Sequence, residues 1–101
     1  MSVKHVKTAE FDAMMEEAPL AMVDFWASWC GPCQMVGPII EEIAEERTDI
    51  KVCKVNVNEQ PDLAEKYNVM SIPTIIVFKG GEPVTVSLGA KPKAEILELL
   101  K

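Results

Sequence analysis

Two cysteines three residues apart, in Cys30-Gly31-Pro32-Cys33, are the residues of this chain whose type and spacing best suit chemistry. A thiolate is both the nucleophile of disulfide exchange and a metal ligand, so a close pair in a reducing compartment is catalytic, redox-active or metal-binding before it is structural. The third cysteine, Cys53, makes the count odd, which does not suit a secreted disulfide scaffold. Zinc ordinarily takes four Cys or His ligands. Only Cys53 and His5 are left to complete such a set, and His5 stands far away near the N-terminus. The redox reading is the one that the flanking elements support. Leu20 to Trp26 reads as a strand and a helix runs from about Cys33 to Arg47, so the pair falls where a strand gives way to a helix. The first N–H groups of a helix lack internal partners and its dipole is positive there, which stabilises a thiolate at Cys30. Cys33 lies one turn further on, and Gly31 and Pro32 suit the tight turn between them. Asp24 adds a carboxyl inside the apolar run Leu20-Ala21-Met22-Val23-Asp24-Phe25-Trp26, where it must be protonated or partnered. It is either a hydrogen-bonded structural residue, a residue at an exposed strand end, or part of the cysteine site. Its nearness in sequence to Cys30 favours the last.

The elements that must hold these groups follow from periodicity. Val3 to Val6 can form an edge strand. Thr8 to Glu17 reads as a helix capped by Thr8, with Phe11, Met14 and Met15 as its apolar stripe. Continuous apolarity from Leu20 to Trp26 predicts a central strand covered on both faces, with Trp26 in the core. Met35, Val36, Ile39, Ile40, Ile43 and Ala44 keep a helical period with Glu41, Glu42, Glu45 and Glu46 on the wet side, and Pro38 inside it predicts a kink. Lys51 to Val57 is a further strand, and Pro61 starts a short helix through Tyr67. Thr74 to Phe78 and Val84 to Leu88 are strands joined by Lys79-Gly80-Gly81-Glu82, a hairpin link. Pro92 opens a last helix. The order β-α-β-α-β-α-β-β-α predicts an α/β domain of three layers, α/β/α, around a central mixed sheet, with residues 1–101 as one domain.

The segment Val23-Asp24-Phe25-Trp26-Ala27-Ser28-Trp29-Cys30-Gly31-Pro32-Cys33 resembles the active-site segment of the thioredoxin family. The resemblance continues through Pro38, Lys54, Ser71-Ile72-Pro73-Thr74, Gly80-Gly81 and Gly89, in order and over essentially the whole chain. It implies the thioredoxin fold and reduction of protein disulfides by reversible dithiol–disulfide exchange, in the service of cell redox homeostasis. Residue by residue it implies Cys30 as attacking thiolate and Cys33 as resolving thiol. Asp24 would be a buried carboxylate that takes the Cys33 proton, with Lys54 near it, and Pro73 would be cis and face the cysteines. Trp29, Gly31, Pro32, Ile72, Gly89 and Ala90 would form the rim on which a substrate protein docks. No bound cofactor is implied beyond the redox-active Cys30–Cys33 disulfide, and a thioredoxin reductase is the implied electron donor. Four positions depart from the commoner pattern: Gln34 replaces a frequent Lys or Arg, Gly37 a common Ala, Asn58 a frequent Asp and Ser71 a Gly of some members. These bear on tuning and partner choice, since no catalytic group is lost. Lys54 and Pro73 would be unremarked strand residues without the resemblance, and Cys53 reads as a small buried hydrophobe with no role.

Composition limits the other classes. A formal charge of −6 argues against a nucleic-acid or anionic-membrane partner, which would need clustered Lys and Arg. The N-terminus lacks an apolar stretch after its early lysine, and Ile75-Ile76-Val77-Phe78 is far too short to span a bilayer, so a cytoplasmic monomer is expected. The competing classes are a binding subunit that uses the apolar rim with turnover incidental, and a metal or iron–sulfur module.

Overall fold

The computed structural model describes residues 3–101. Its elements are β1 (Val3–His5), α1 (Thr8–Glu17), β2 (Leu20–Trp26), α2 (Gly31–Glu46), β3 (Lys51–Asn56), α3 (Pro61–Lys66), β4 (Thr74–Lys79), β5 (Glu82–Leu88) and α4 (Lys93–Glu98). One five-stranded sheet has the order β1-β3-β2-β4-β5. β1 and β2 run parallel to β3 on either side of it, while β4 runs antiparallel to β2 and β5 to β4. The central place of β2 explains its near-continuous burial, Ala21 to Phe25.

Strand side chains alternate between faces, and that alternation sorts the core into two layers. Ala21, Val23 and Phe25 of β2 join Cys53 and Val55 of β3 and Phe11, Met15 and Leu63 from α1 and α3. Tyr67 packs into this layer against Phe11 and Phe78, with ring centroids 5.5 and 5.3 Å apart. On the opposite face Met22, Val52, Ile75 and Val77 meet Val36, Ile40, Ile43 and Ile96 of α2 and α4. By the same parity Asp24 and Trp26 of β2, Lys54 of β3 and His5 of β1 belong to the α2 face. The β4–β5 link turns on Gly80 and Gly81, whose φ values of 57° and 90° are the left-handed pair that a two-residue hairpin turn requires.

Four expectations need correction. Thr8 does not cap α1: Lys7 holds the cap position, and its N–H donates to Glu10 Oε1 at 3.2 Å. The Thr8 N–H and hydroxyl both donate to Gln60 Oε1 at 3.0 Å, so Thr8 ties α1 to the residue before α3. α2 begins at Gly31, two residues earlier than periodicity suggested, because Cys30 itself supplies the cap. Met35 is 70 % exposed. It sits one position before buried Val36, about 100° around the helix from the core direction. Trp26 is only half-buried: it ends β2 and lines an open cleft between the sheet and α2. α2 carries Pro38 and continues past it to Glu46.

Candidate active site

Cys30 and Cys33 are joined as a disulfide with their Cα atoms 5.3 Å apart. Cys30 is the N-cap of α2, and the Cys33 backbone N–H donates to Cys30 Sγ at 3.1 Å. The sulfur therefore occupies the place of a capping side-chain oxygen, at the positive end of a sixteen-residue helix. A thiolate formed there gains a charge-assisted hydrogen bond from that same N–H. Gly31 and Pro32 fill the first two helical positions, where Pro32 loses no hydrogen bond. Both cysteines are only 4 % exposed and pack with Ala27 against Trp26, Val57 and Ile72.

The two sulfurs look onto different surroundings. Cys30 Sγ lies 3.8 Å from the Ile72 carbonyl oxygen, at the front. The Ile72–Pro73 peptide bond is cis, Pro73 is buried, and the Pro73 carbonyl accepts from the Gly89 N–H at 2.9 Å. Trp29, 70 % exposed, and Ile72 line a shallow cleft of about 300 Å³ with Val57, Val69, Met70 and Ser71. Ala90 opens instead onto a neighbouring apolar cleft with Met35, Val36 and Ile39 on the outer side of α2. Of the rim suggested by resemblance, Trp29 and Ile72 thus line one cleft, Ala90 lines another, and Gly31, Pro32 and Gly89 line neither, while Val69 and Met70, the latter 92 % exposed, line the first cleft without having been marked by the sequence.

Cys33 faces the rear. It lines a cleft of about 370 Å³ with Gln34, Gly37, Pro38 and Glu41 from α2, Lys54 from β3, Trp26 from β2 and His5 from β1. Cys33, Gly37 and Glu41 recur every four residues and so share one side of the helix. Asp24 is 1 % exposed and stands directly beside Lys54 in the β2–β3 register. Burial pushes its carboxyl up from 3.8 to about 6, with the Lys54 charge pulling the other way. Among the described residues its Oδ1 has no hydrogen-bond partner. His5, set aside from sequence as remote, is the register partner of Lys54 and approaches the Trp26 ring edge-on at 6.2 Å. Residues forty-nine apart in sequence met because β1 pairs with β3, which no local pattern announces. Gln34 donates from Nε2 to the Ser28 carbonyl at 3.1 Å, tying the start of α2 to the loop before the cysteines.

Cys53 is fully buried on the other face of the sheet, and burial pushes its thiol up to about 11, so it stays protonated and inert. Among the described residues no group of three or more His, Cys, Asp or Glu side chains is placed to hold a metal ion. No helix there is long and apolar enough to cross a membrane.

The thioredoxin family model matches residues 2–101. The chain belongs to the thioredoxin family. A thioredoxin of Staphylococcus aureus is 48 % identical over 103 residues, covering 99 % of this chain and 96 % of that one. A mutant thioredoxin from Halobacterium salinarum superposes with a TM-score of 0.91 at 35 % identity, covering 98 % of this chain and 88 % of that one. Plasmodium falciparum thioredoxin gives the same TM-score at 39 % identity, covering 96 % and 95 %. The chain has the thioredoxin fold and is a thiol–disulfide oxidoreductase that reduces protein disulfides, with the Cys30–Cys33 pair at the CxxC position.

Gly37 offers a test of how the helix is fitted to the site. A Cβ there would lie 3.4 Å from Lys54 Nζ, a flexible tip that can give way. Alanine is the better helix former, so G37A is expected to stabilise the protein by about 0.5–1 kcal/mol in urea unfolding.

Proposed function

We propose that the chain, acting as one domain and as a monomer in the cytoplasm, reduces substrate disulfides in two exchanges with Cys30 as nucleophile and Cys33 as resolver. The Cys30 thiolate attacks one sulfur of the substrate disulfide. That S–S bond breaks, a mixed disulfide forms through Cys30, and the first substrate thiolate leaves. Cys33 then gives its proton to Asp24 and attacks Cys30 Sγ, which releases the second substrate thiolate and leaves the Cys30–Cys33 disulfide. Two electrons pass to the substrate, and an external reductase, of the thioredoxin reductase kind, returns the dithiol. The chain needs no bound cofactor, since the disulfide carries both electrons.

The observation that carries this reading is the bond from the Cys33 N–H to Cys30 Sγ at 3.1 Å, which marks Cys30 as the sulfur that the helix stabilises as an anion. Cys33 lines the rear cleft with Lys54, whose register partner on β2 is Asp24, and that shared face supports Asp24 as the acceptor of its proton. Lys54 is read as the charge that moderates Asp24. The substrate backbone is read as lying along Ile72 and Pro73, with Trp29, Gly31, Pro32, Gly89 and Ala90 around it. The exposed apolar side chains of the front cleft support that placement.

Substitution C33S removes the resolver and keeps the attacker. It is expected to accumulate mixed disulfides through Cys30, seen as higher-mass bands on non-reducing gels that dithiothreitol collapses. If C33S traps nothing while C30S does, the two roles are reversed.

A further inference from the structure

The rear cleft contains a carboxylate that the exchange reaction does not require. Lys54 stands on β3 between His5 of β1 and Asp24 of β2. The ion pair it makes among the described residues is not with Asp24 but with Glu41 of α2, Nζ to Oε1 3.9 Å. The Lys54 side chain is 14 % exposed and that of Glu41 33 %, so solvent screens the pair only in part. The ammonium also lies 5.8 Å from the Trp26 ring centroid, and a Cβ on Gly37 would come within 3.4 Å of it. It is therefore drawn up against α2, into space that a glycine leaves open, while Asp24 Oδ1 has no hydrogen-bond partner among the described residues.

We propose that Glu41 is a positioning residue, which holds the Lys54 ammonium against α2 at Gly37 and so sets how strongly Lys54 acts on Asp24. Lys54 opposes the effect of burial on Asp24. The more of its charge Glu41 engages, the better a base Asp24 remains for the Cys33 proton. The other groups that face this cleft are His5 from β1 and Cys33 from α2, while β4 places apolar Ile75 opposite Asp24. The inference rests on Asp24 being the proton acceptor proposed above.

The test is a carbon-13 NMR titration of the Asp24 carboxyl in the oxidised protein, where Cys30 and Cys33 do not titrate and His5 is followed in parallel. E41Q is expected to lower the Asp24 midpoint by roughly half a pH unit. E42Q removes an equal charge one residue on, from a side chain paired with Lys93, and is expected to leave the midpoint in place. In a K54Q background the E41Q shift should largely vanish. An unmoved midpoint in E41Q, equal shifts in E41Q and E42Q, or a full shift that persists without Lys54 overturns the proposal. Activity of D24N tests the underlying reading separately: full activity there removes Asp24 from the reaction whatever the titrations show.

Discussion

Replacing Cys30 with serine abolishes insulin reduction, leaving only the rate of dithiothreitol alone in a turbidity assay. A serine hydroxyl at the helix cap keeps the hydrogen bond from the Cys33 N–H but is not ionised near neutral pH, so the substrate disulfide meets no nucleophile. Neither remaining cysteine can take its place. Cys33 lines the rear cleft and does not hold the capping position at the start of α2, which belongs to residue 30. Cys53 is fully buried on the far side of the sheet, with its thiol pushed up to about 11. The fold should be unchanged, because the substitution is nearly isosteric and the cap is retained. Undiminished activity in C30S would remove Cys30 from the reaction.

Substitution D24N should make the protein more stable and less active. A carboxyl raised from 3.8 to about 6 is stabilised by folding only in its neutral form. Well below 3.8 it is protonated in both folded and unfolded chains, and the contribution is fully present. As pH rises through about 6 the buried group must ionise at a cost that the unfolded chain does not meet, and the contribution is lost. The difference amounts to ~3 kcal/mol above pH 7. Asparagine has the same shape and never ionises, so D24N should exceed the native protein by about 2–3 kcal/mol in urea unfolding at pH 8 and by less than about 1 kcal/mol at pH 4. In exchange assays at pH 7 the same variant should be roughly tenfold slower or worse, for want of a base for Cys33. A stability gain of equal size at both pH values would mean that Asp24 is not raised. A gain confined to high pH with full activity would make it a structural burden without a catalytic return. A residue that weakens the fold where it serves the site is a common trade at active sites.

Much of the frame was legible in local pattern. The almost unbroken apolar run from Leu20 to Trp26 marked a strand buried on both faces, and β2 spans those residues. Gly80-Gly81 between two apolar runs marked a hairpin, because only glycine takes both left-handed positions without strain. Where local pattern failed, a tertiary partner had intervened. Thr8 has the chemistry of a cap, yet Gln60 lies within its reach and takes both its donors. Met35 fits a helical period, but the direction of the core is set by which side of α2 meets the sheet, and that side runs through Val36, Ile40 and Ile43.

By itself the sequence determined the cysteine spacing, a helix that starts close to the pair, and the face of the strand on which Asp24 must lie, since period-two alternation is a property of one strand alone. It did not determine what stands beside Asp24 on that face. Strand register is a long-range choice, made when β1 and β2 settle on either side of β3, and a slip of one residue would send Lys54 to the opposite layer. Only that pairing placed His5, Lys54 and Asp24 in a row beneath α2, and only the packing of α2 set Glu41 and Gly37 over them.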